Sequence, residues 1–333
     1  MEWRPLDSLL VRASYGTAFR APDLHYVFSG PGNDETSVPD YYRCAIEEPN
    51  ETLDDCSYSS EGIIRSRAGN RELNPETSTS WTAGFVWSPR HNIDVSLDYF
   101  DIDMRDQVQD LRASEVMRNE YECRTGVQPI NSPLCVDTLA RITRSADGGI
   151  YGVHVNPINV ARENTSGIDF STNLRFDTRI GRIGLSGGYT WVRDHEIQVY
   201  PDEPIVDMFA VNSGYDIPRT KANARLWWER EAWSASVQAN RLGRLPNGWS
   251  YDEVWEAGDP GPWLEATYRY NANLQYKFTD RARLSLSVVN LTDEKPPVDP
   301  TYTSYPYYDI SWFDTQGRSF FLEFSYKFGG KPL

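Results

Sequence analysis

The chain of 333 residues has no long hydrophobic run. Its mean hydropathy is -0.59, and no window approaches the roughly 20 apolar residues that a membrane-spanning helix needs. A helical membrane protein is therefore excluded. A transmembrane β-barrel is not excluded, because only every second residue of its strands faces lipid and its loops are polar.

Basic residues are also scarce. Lys and Arg number 33 against 48 Asp and Glu, which gives a formal charge of -15. The chain has no basic stripe of the kind that binds a phosphate backbone, so we expect no nucleic-acid partner. The acidic excess is spread over many segments, which is typical of solvated loops.

Histidine is rare and scattered. The four residues are far apart and have no helical ligand spacing, so the sequence predicts neither a metal site nor a cofactor; they are His25, His91, His154 and His195.

Four cysteines fall into two short-range pairs, Cys44 with Cys56 and Cys123 with Cys135. Each pair lies in a segment rich in Pro, Asn and Asp, and neither has a histidine beside it. Zinc sites prefer closer ligand pairs with histidine nearby, so two local disulfides are the natural interpretation. Disulfides indicate an oxidising compartment. No apolar leader follows Met1, and we expect that an N-terminal portion of the protein precedes this chain.

Alternation of apolar and polar residues recurs along the chain. In 268–278 every second residue is apolar and the intervening ones are polar, which predicts a strand with one apolar and one polar face. Ten segments follow this pattern, each about 9 to 13 residues long with its flanks, long enough to cross a bilayer as a tilted strand. They are centred on 9–15, 81–87, 93–99, 168–176, 183–191, 222–228, 233–239, 268–278, 284–288 and 320–328.

The connections between these segments alternate strictly in length. Short turns lie at 88–90, 177–182, 229–231 and 279–280, and long loops at 20–78, 104–150, 194–218, 243–264 and 292–317. Outer-membrane barrels have short periplasmic turns and long extracellular loops, whereas a soluble sandwich has no reason to sort its loops in this way. We expect 151–176 to cross once, as a long strand that projects above the membrane.

Six local motifs occur in the order found in one family. They are YGTAFRAP at 15–22, NRELNPETS at 70–78, VSLDYFDI at 95–102, SGID at 166–169, VNLTDEKP at 289–296 and GRSF at 317–320. Together they resemble the C-terminal barrel of TonB-dependent receptors over nearly the whole chain. The resemblance implies an all-β fold, an antiparallel transmembrane β-barrel with about ten strands present out of about 22. Residues 1–333 would then be the C-terminal portion of the barrel domain, with the N-terminal plug domain absent.

The same resemblance implies a function in uptake. Substrate would bind at the extracellular mouth, and energy would arrive from TonB through the plug, so no residue needs to perform covalent chemistry. We expect the barrel portion of a monomeric transporter in the bacterial outer membrane, for a siderophore or another scarce nutrient such as an oligosaccharide.

Aromatic residues in two loops are the candidates for ligand contact, because flat rings with polar tips could stack on sugars or on aromatic siderophores. The alternative for them is the interfacial girdle or loop packing. They are Trp249, Tyr251, Trp255 and Trp263 in one loop, and Tyr302, Tyr305, Tyr307, Tyr308 and Trp312 in the other.

Two further sets follow from the alternation. The polar positions predict a lumen lined by Arg175, Arg225, Asn273, Gln275, Lys277, Arg283 and Glu323. Aromatics at strand ends are expected mainly in the girdle, namely Trp87, Trp191, Trp227, Trp228 and Phe328.

Two alternatives stay open. One is a self-contained ten-stranded outer-membrane hydrolase. The sequence Gly-Leu-Ser-Gly-Gly at 184–188 fits the nucleophile-elbow pattern of hydrolases. It lies inside an alternating segment, however, which predicts a strand there rather than a sharp turn. Pairing of the first strand with the last would favour the hydrolase. The other is a secreted sugar-binding β-sandwich, which would bury the apolar positions in a compact interior.

Overall fold

A computed structural model describes residues 1–198, 204–210, 213, 216–247, 263–299 and 305–329. The strands in chain order are β1 (Glu2–Leu6), β2 (Leu9–Arg20), β3 (Gly32–Val38), β4 (Glu61–Arg67), β5 (Glu76–Arg90), β6 (Ile93–Asp110), β7 (Ile142–Arg144), β8 (Ile150–His154), β9 (Pro157–Thr178), β10 (Gly181–Gln198), β11 (Val206–Asp207), β12 (Thr220–Arg230), β13 (Trp233–Leu242), β14 (Leu245–Pro246), β15 (Trp263–Leu264), β16 (Thr267–Thr279), β17 (Ala282–Val289) and β18 (Ser319–Tyr326). The helices are α1 (Leu24–Phe28), α2 (Tyr41–Glu47), α3 (Ala113–Thr125) and α4 (Pro133–Ala140). No helix in these described ranges has the length and apolar character to cross a membrane.

One large antiparallel sheet organises the chain. Its strands follow the order β1-β2-β5-β6-β9-β10-β12-β13-β16-β17-β18, with β11 added beside β10. All ten predicted segments are present, and β1, which the sequence did not predict, adds an eleventh strand to the series. Within the described residues the first and last strands do not pair, so the sheet is open. This openness counts against the self-contained ten-stranded hydrolase.

The alternation of loop lengths is confirmed. Two residues each join β5 to β6, β9 to β10, β12 to β13 and β16 to β17, whereas the connections at the other end of the sheet are long. The supposed nucleophile elbow lies within β10, where Ser186 pairs with Asn173 and Arg225 in regular strands. No strand-to-helix turn exists there.

The large sheet has an apolar face and a polar face. The apolar face carries Leu274, Leu286 and Phe324, which are 43%, 38% and 63% exposed. A soluble sandwich would bury these side chains, because exposed apolar surface is unfavourable in water. Their exposure counts against the sandwich and is typical of a surface that contacts an apolar medium.

Three neighbouring strands are longer than the apolar band. β6, β9 and β10 have 18, 22 and 18 residues. On β6 the apolar face ends at Tyr99 and continues with Asp101 and Asp103, and Asp103 forms an ion pair with Arg162 of β9 at 3.0 Å. The segment predicted to cross once does so in β9, but its first residues belong to the separate strand β8.

Two long loops fold together into a small domain, which the sequence did not predict. Four strands form a second sheet in the order β3-β4-β8-β7, and the parallel pairing of β4 with β8 joins one loop to the other. We call residues 32–67 and 111–155 the loop domain. Its core includes Ile63, Val116, Met117 and Val153, all buried. Disulfides link Cys44 to Cys56 and Cys123 to Cys135, with Cα–Cα distances of 5.9 and 5.6 Å.

A buried ion cluster also joins the two loops. Arg144 contacts both carboxylate oxygens of Asp40, at 2.6 and 2.8 Å, and both of Glu120, at 2.9 and 2.6 Å. The two carboxylate side chains are fully buried. Burial alone would lower the pKa of Arg144, but its hydrogen bonds to Asp40 and Glu120 outweigh that effect and raise the pKa. The guanidinium therefore stays charged. Together with Arg124, which pairs with Glu120 at 2.7 Å, it neutralises both acids.

Arg144→Leu should unfold the loop domain locally, because it leaves the buried Asp40 carboxylate without its cation and leaves Glu120 paired with Arg124 alone. Removing one partner of a buried ion pair costs about 3–5 kcal/mol. We expect hydrogen exchange of backbone amides in α3 and β7 to accelerate strongly, while exchange in the large sheet stays unchanged. Arg65→Leu is the control, because the Arg65–Asp34 pair in the same domain is exposed on both sides. Equal exchange in both variants would contradict a structural role for the cluster.

Gly84 allows an ion pair to cross a strand on the polar face. It pairs with Arg12 on one side and Asp98 on the other, and Arg12 donates two hydrogen bonds to Asp98 at 2.8 and 2.5 Å. A Cβ at position 84 would lie 2.4 Å from the Leu97 carbonyl oxygen and 2.8 Å from Asp98 Cα. Only glycine fits without moving backbone.

Gly84→Ala should therefore destabilise the sheet, by about 1–3 kcal/mol if it behaves like other overpacked sites. The measurement is the fraction of chain that keeps compact mobility on an unheated gel after folding in detergent. Gly16→Ala is a matched control on the same face, since its Cβ would meet only Ser80 Oγ at 3.7 Å. Equal folded fractions for the two variants would refute the packing account.

Candidate functional site

The polar face collects all seven residues that the sequence assigned to the lumen. Strand register places them on one side of the large sheet, together with many serines. Asn273, for example, lies between Ser236 and Ser287 and donates a hydrogen bond to Ser287 Oγ at 2.8 Å. Small polar residues of this kind leave room above the sheet and offer many hydrogen-bonding groups.

A cavity of about 590 Å³ lies against this face near the long-loop end. Its floor is the polar face of β9, β10, β12, β13 and β16, and its cover comes from the loop between β17 and β18. Floor and cover include Lys221, Asn223, Arg269, Trp312, Phe313 and Asp314. The volume lies within the range of about 300–1,000 Å³ that is typical of small-molecule sites.

Three long loops meet in the cover, which we call the loop roof. Phe313 is buried with Leu245 and Leu264 from the β13–β16 connection, and Tyr308 and Trp312 pack against this group. Trp312 also donates its indole N–H to the Asp216 carbonyl oxygen of the β10–β12 connection at 2.7 Å. The roof is therefore a small apolar core rather than a loose loop.

The charged groups of the cavity differ in how far they are neutralised. Arg269 faces Asp314 at 3.4 Å and donates to the Gln316 carbonyl at 2.5 Å. Lys295 pairs with Asp293; the backbone amide of Arg318, followed by Lys295, holds the pKa of Asp293 below its usual range. Lys221 instead places its ammonium 4.8 Å from the Trp312 ring centre. It is the cation best placed to receive an anionic group.

The predicted ligand aromatics have different positions. Trp312 lines the cavity, and Tyr308 belongs to the loop roof. Tyr305 and Tyr307 are exposed, and Trp263 lies in the short β15 strand with the Arg244 guanidinium 4.3 Å from its ring centre. The remaining four lie outside the described residues, namely Trp249, Tyr251, Trp255 and Tyr302.

The assignment of Trp227 to the girdle was wrong. Its register partners are Gly184 and Ser236, which places it on the polar face with Arg225 rather than on the apolar face with Trp228. A Cβ at Gly184 would meet the Trp227 indole at 2.2 Å, so the ring lies directly on that glycine. The period-two pattern itself contained this information, because Trp227 and Trp228 cannot both point the same way.

Sequence analysis missed Lys221, Arg269 and Phe313. The two cations occupy polar positions of predicted strands, so their face followed from the pattern, but nothing local showed that a distant loop would cover them. Among the described residues, no three His, Cys, Asp or Glu side chains come together as metal ligands.

Comparisons with known proteins agree with this architecture. The family model "TonB dependent receptor-like, beta-barrel" matches residues 1–291. No curated protein matches the chain by sequence.

Solved structures with the same fold are receptors. The siderophore receptor PirA from Acinetobacter baumannii aligns with a TM-score of 0.59 and 15% identity, covering 98% of this chain and 40% of that protein. A mutant of the ferric enterobactin receptor PfeA from Pseudomonas aeruginosa aligns with a TM-score of 0.55 and 15% identity, covering 88% and 34%. The chain thus spans well under half the length of these proteins. With its family model, strand order and exposed apolar face in agreement, the chain belongs to the TonB-dependent receptor β-barrel family.

Proposed function

We propose that this chain forms the barrel wall and mouth of an outer-membrane transporter that takes up a siderophore. The apolar face contacts lipid, and the polar face lines the passage, so the seven predicted lumen residues face the substrate route. In the complete protein this wall would surround a plug domain, through which TonB supplies energy. The observation that carries the proposal is the roofed cavity on the polar face of a family barrel.

The chemistry of the cavity favours an anionic ligand with flat rings. Trp312 and Phe313 provide apolar and aromatic surface, and Lys221 provides a cation that no carboxylate among the described residues neutralises. Ferric complexes of catecholate siderophores combine aromatic rings with negative charge. Of the similar structures named above, one is described as a siderophore receptor and the other as a ferric enterobactin receptor.

A neutral oligosaccharide is the competing substrate. It could stack on Trp312 but would gain little from Lys221, because a charge strengthens hydrogen bonds chiefly with an ionised partner. The two substrate classes therefore predict different consequences for the loss of this one charge.

Lys221→Gln should weaken the binding of ferric enterobactin about tenfold, the loss of one charge-assisted contact worth about 1.4 kcal/mol. Quenching of intrinsic tryptophan fluorescence on titration of the detergent-solubilised chain gives the affinity. Maltopentaose serves as the neutral probe. Lys327→Gln, which changes a cation beyond the last strand at the short-turn end, should bind like the parent chain.

Tight binding of maltopentaose without binding of the ferric chelate would refute the siderophore proposal in favour of a sugar. Binding of neither probe by a folded chain would refute the placement of the site in this cavity for both classes.

Trp312→Ala should weaken binding further than Trp312→Phe. The alanine removes both the ring over Lys221 and the hydrogen bond to Asp216, whereas phenylalanine retains a ring and loses only the hydrogen bond. The same fluorescence titration applies, with unheated gel mobility as the check on folding. Equal affinities for the two variants would show that the ring itself does not contact the ligand.

A further inference from the structure

Arg241 is a charged residue on the apolar face. Strand register places it between Ala222 of β12 and Tyr268 of β16, at the end of the alternating series that begins with Trp233. On the polar face, Arg12 and Arg269 each contact a carboxylate. Arg241 contacts two hydroxyl groups and a ring instead, with no carboxylate partner among the described residues.

The contacts of Arg241 leave an excess of hydrogen-bond donors. Its Nε–H donates to the Tyr268 hydroxyl oxygen at 3.2 Å, and its Nη1 donates to Thr220 Oγ1 at 2.8 Å. A guanidinium has five N–H groups, so three remain. The hydroxyl protons of Tyr268 and Thr220 also remain free to donate, because both oxygens act as acceptors here. A positively charged cluster that only donates hydrogen bonds favours an anion over a neutral acceptor.

The height of this cluster indicates where the anion comes from. Thr220 is in register with Trp191, and Tyr268 lies beside the long-loop end of β16, next along the apolar face to Tyr270. Tyr and Trp are enriched where the hydrocarbon of a membrane meets its headgroups. The side chain of Arg241 is half-buried beside these neighbours, and we place its remaining donors at headgroup level on the position of these aromatic residues.

We propose that Arg241, Tyr268 and Thr220 form a binding site for the phosphate group of an outer-leaflet lipid. Arginine matches phosphate through paired N–H donors, and the two hydroxyls complete the shell. The inference rests on the orientation given under the proposed function, with the apolar face toward lipid. It adds a site on the opposite side of the sheet from the ligand cavity.

The test is native mass spectrometry of the full chain released from bilayers of defined composition. Three bilayers are compared: phosphatidylcholine with phosphatidylglycerol, phosphatidylcholine with lipid A, and phosphatidylcholine with dephosphorylated lipid A. The parent chain should retain one anionic phosphate lipid in the first or second bilayer, and which of the two it prefers identifies the source. Arg241→Gln should lower the retained fraction about tenfold, and Tyr268→Phe should lower it less, since it removes a single donor.

Arg105→Gln is the matched control. Arg105 lies on the same face and toward the same end, but already pairs with Asp103 at 3.1 Å, so its loss should leave lipid retention unchanged. Residue 241 borders the cavity, but strand register turns its side chain to the face opposite Lys221, so ferric enterobactin binding should be the same in Arg241→Gln as in the parent chain.

Equal retention by the parent chain and Arg241→Gln would overturn the site. So would equal retention of dephosphorylated lipid A, or displacement of the lipid by an excess of inorganic phosphate, which would show a site for soluble anions. A parent chain that retains no lipid in any bilayer would overturn the membrane orientation itself. Failure of the lipid site alone leaves siderophore binding intact, so the two failures are distinguishable.

Discussion

Pairing of backbone amides and carbonyls between neighbouring strands is the constraint on which this structure depends. Hydrocarbon offers no hydrogen bonds, so a chain that crosses it as strands must pair each of them with a neighbour. Regular pairing fixes the direction of every side chain, and from this the two faces follow. The apolar face can be exposed only because its surroundings are apolar, and the polar face can collect serines, asparagines and arginines only because it is shielded from lipid. Gly84 shows how strict the pairing is, since the ion pair between its neighbours on both sides leaves no space for a methyl group.

Where the strands rise above the apolar band, the constraint is lifted and a different kind of folding begins. The loop domain is too small to depend on a hydrophobic core alone, since its buried cluster contains only nine residues. Two disulfides and the Arg144 cluster supply additional constraints. Each disulfide lowers the entropy of the unfolded loop, which stabilises the folded state by about 3 kcal/mol for loops of this length. The ion cluster links the two loops, because Asp40 and Arg144 come from different ones. The result is a small cross-linked domain at the long-loop end of the sheet, made from segments that are distant in sequence.

The difference between the large sheet, which depends on local geometry, and the loop domain, which depends on distant contacts, explains what could be predicted from the sequence. Period-two alternation predicted all ten strands of the membrane-spanning series, the parity of their connections and the face of residues such as Asn273 and Glu323, because each depends on local geometry. β1 was missed because Glu2, Arg4 and Pro5 break the pattern in a strand of five residues. The loop domain was missed because its defining contacts, from Asp40 to Arg144 and from Ile64 to Gly152, join distant positions. The cavity was predicted only in part. Trp312 was a candidate for ligand contact, but its position above Lys221 depends on a roof assembled from three loops.

The two cations at the long-loop rim show how much depends on register. Lys221 and Arg241 occupy adjacent positions of the paired strands β12 and β13, since Lys221 pairs with Leu242 and Ala222 pairs with Arg241. One points to the cavity and stacks on Trp312, and the other points to the apolar face and gathers hydroxyl groups. A slip of β12 by one residue would turn Lys221 to the apolar face and remove its charge from the cavity, and a slip of β13 would turn Arg241 toward the cavity. The alternating pattern that specifies a barrel wall thus also separates the two cations. In our proposals, Lys221 binds a soluble anion on one side and Arg241 binds the membrane on the other.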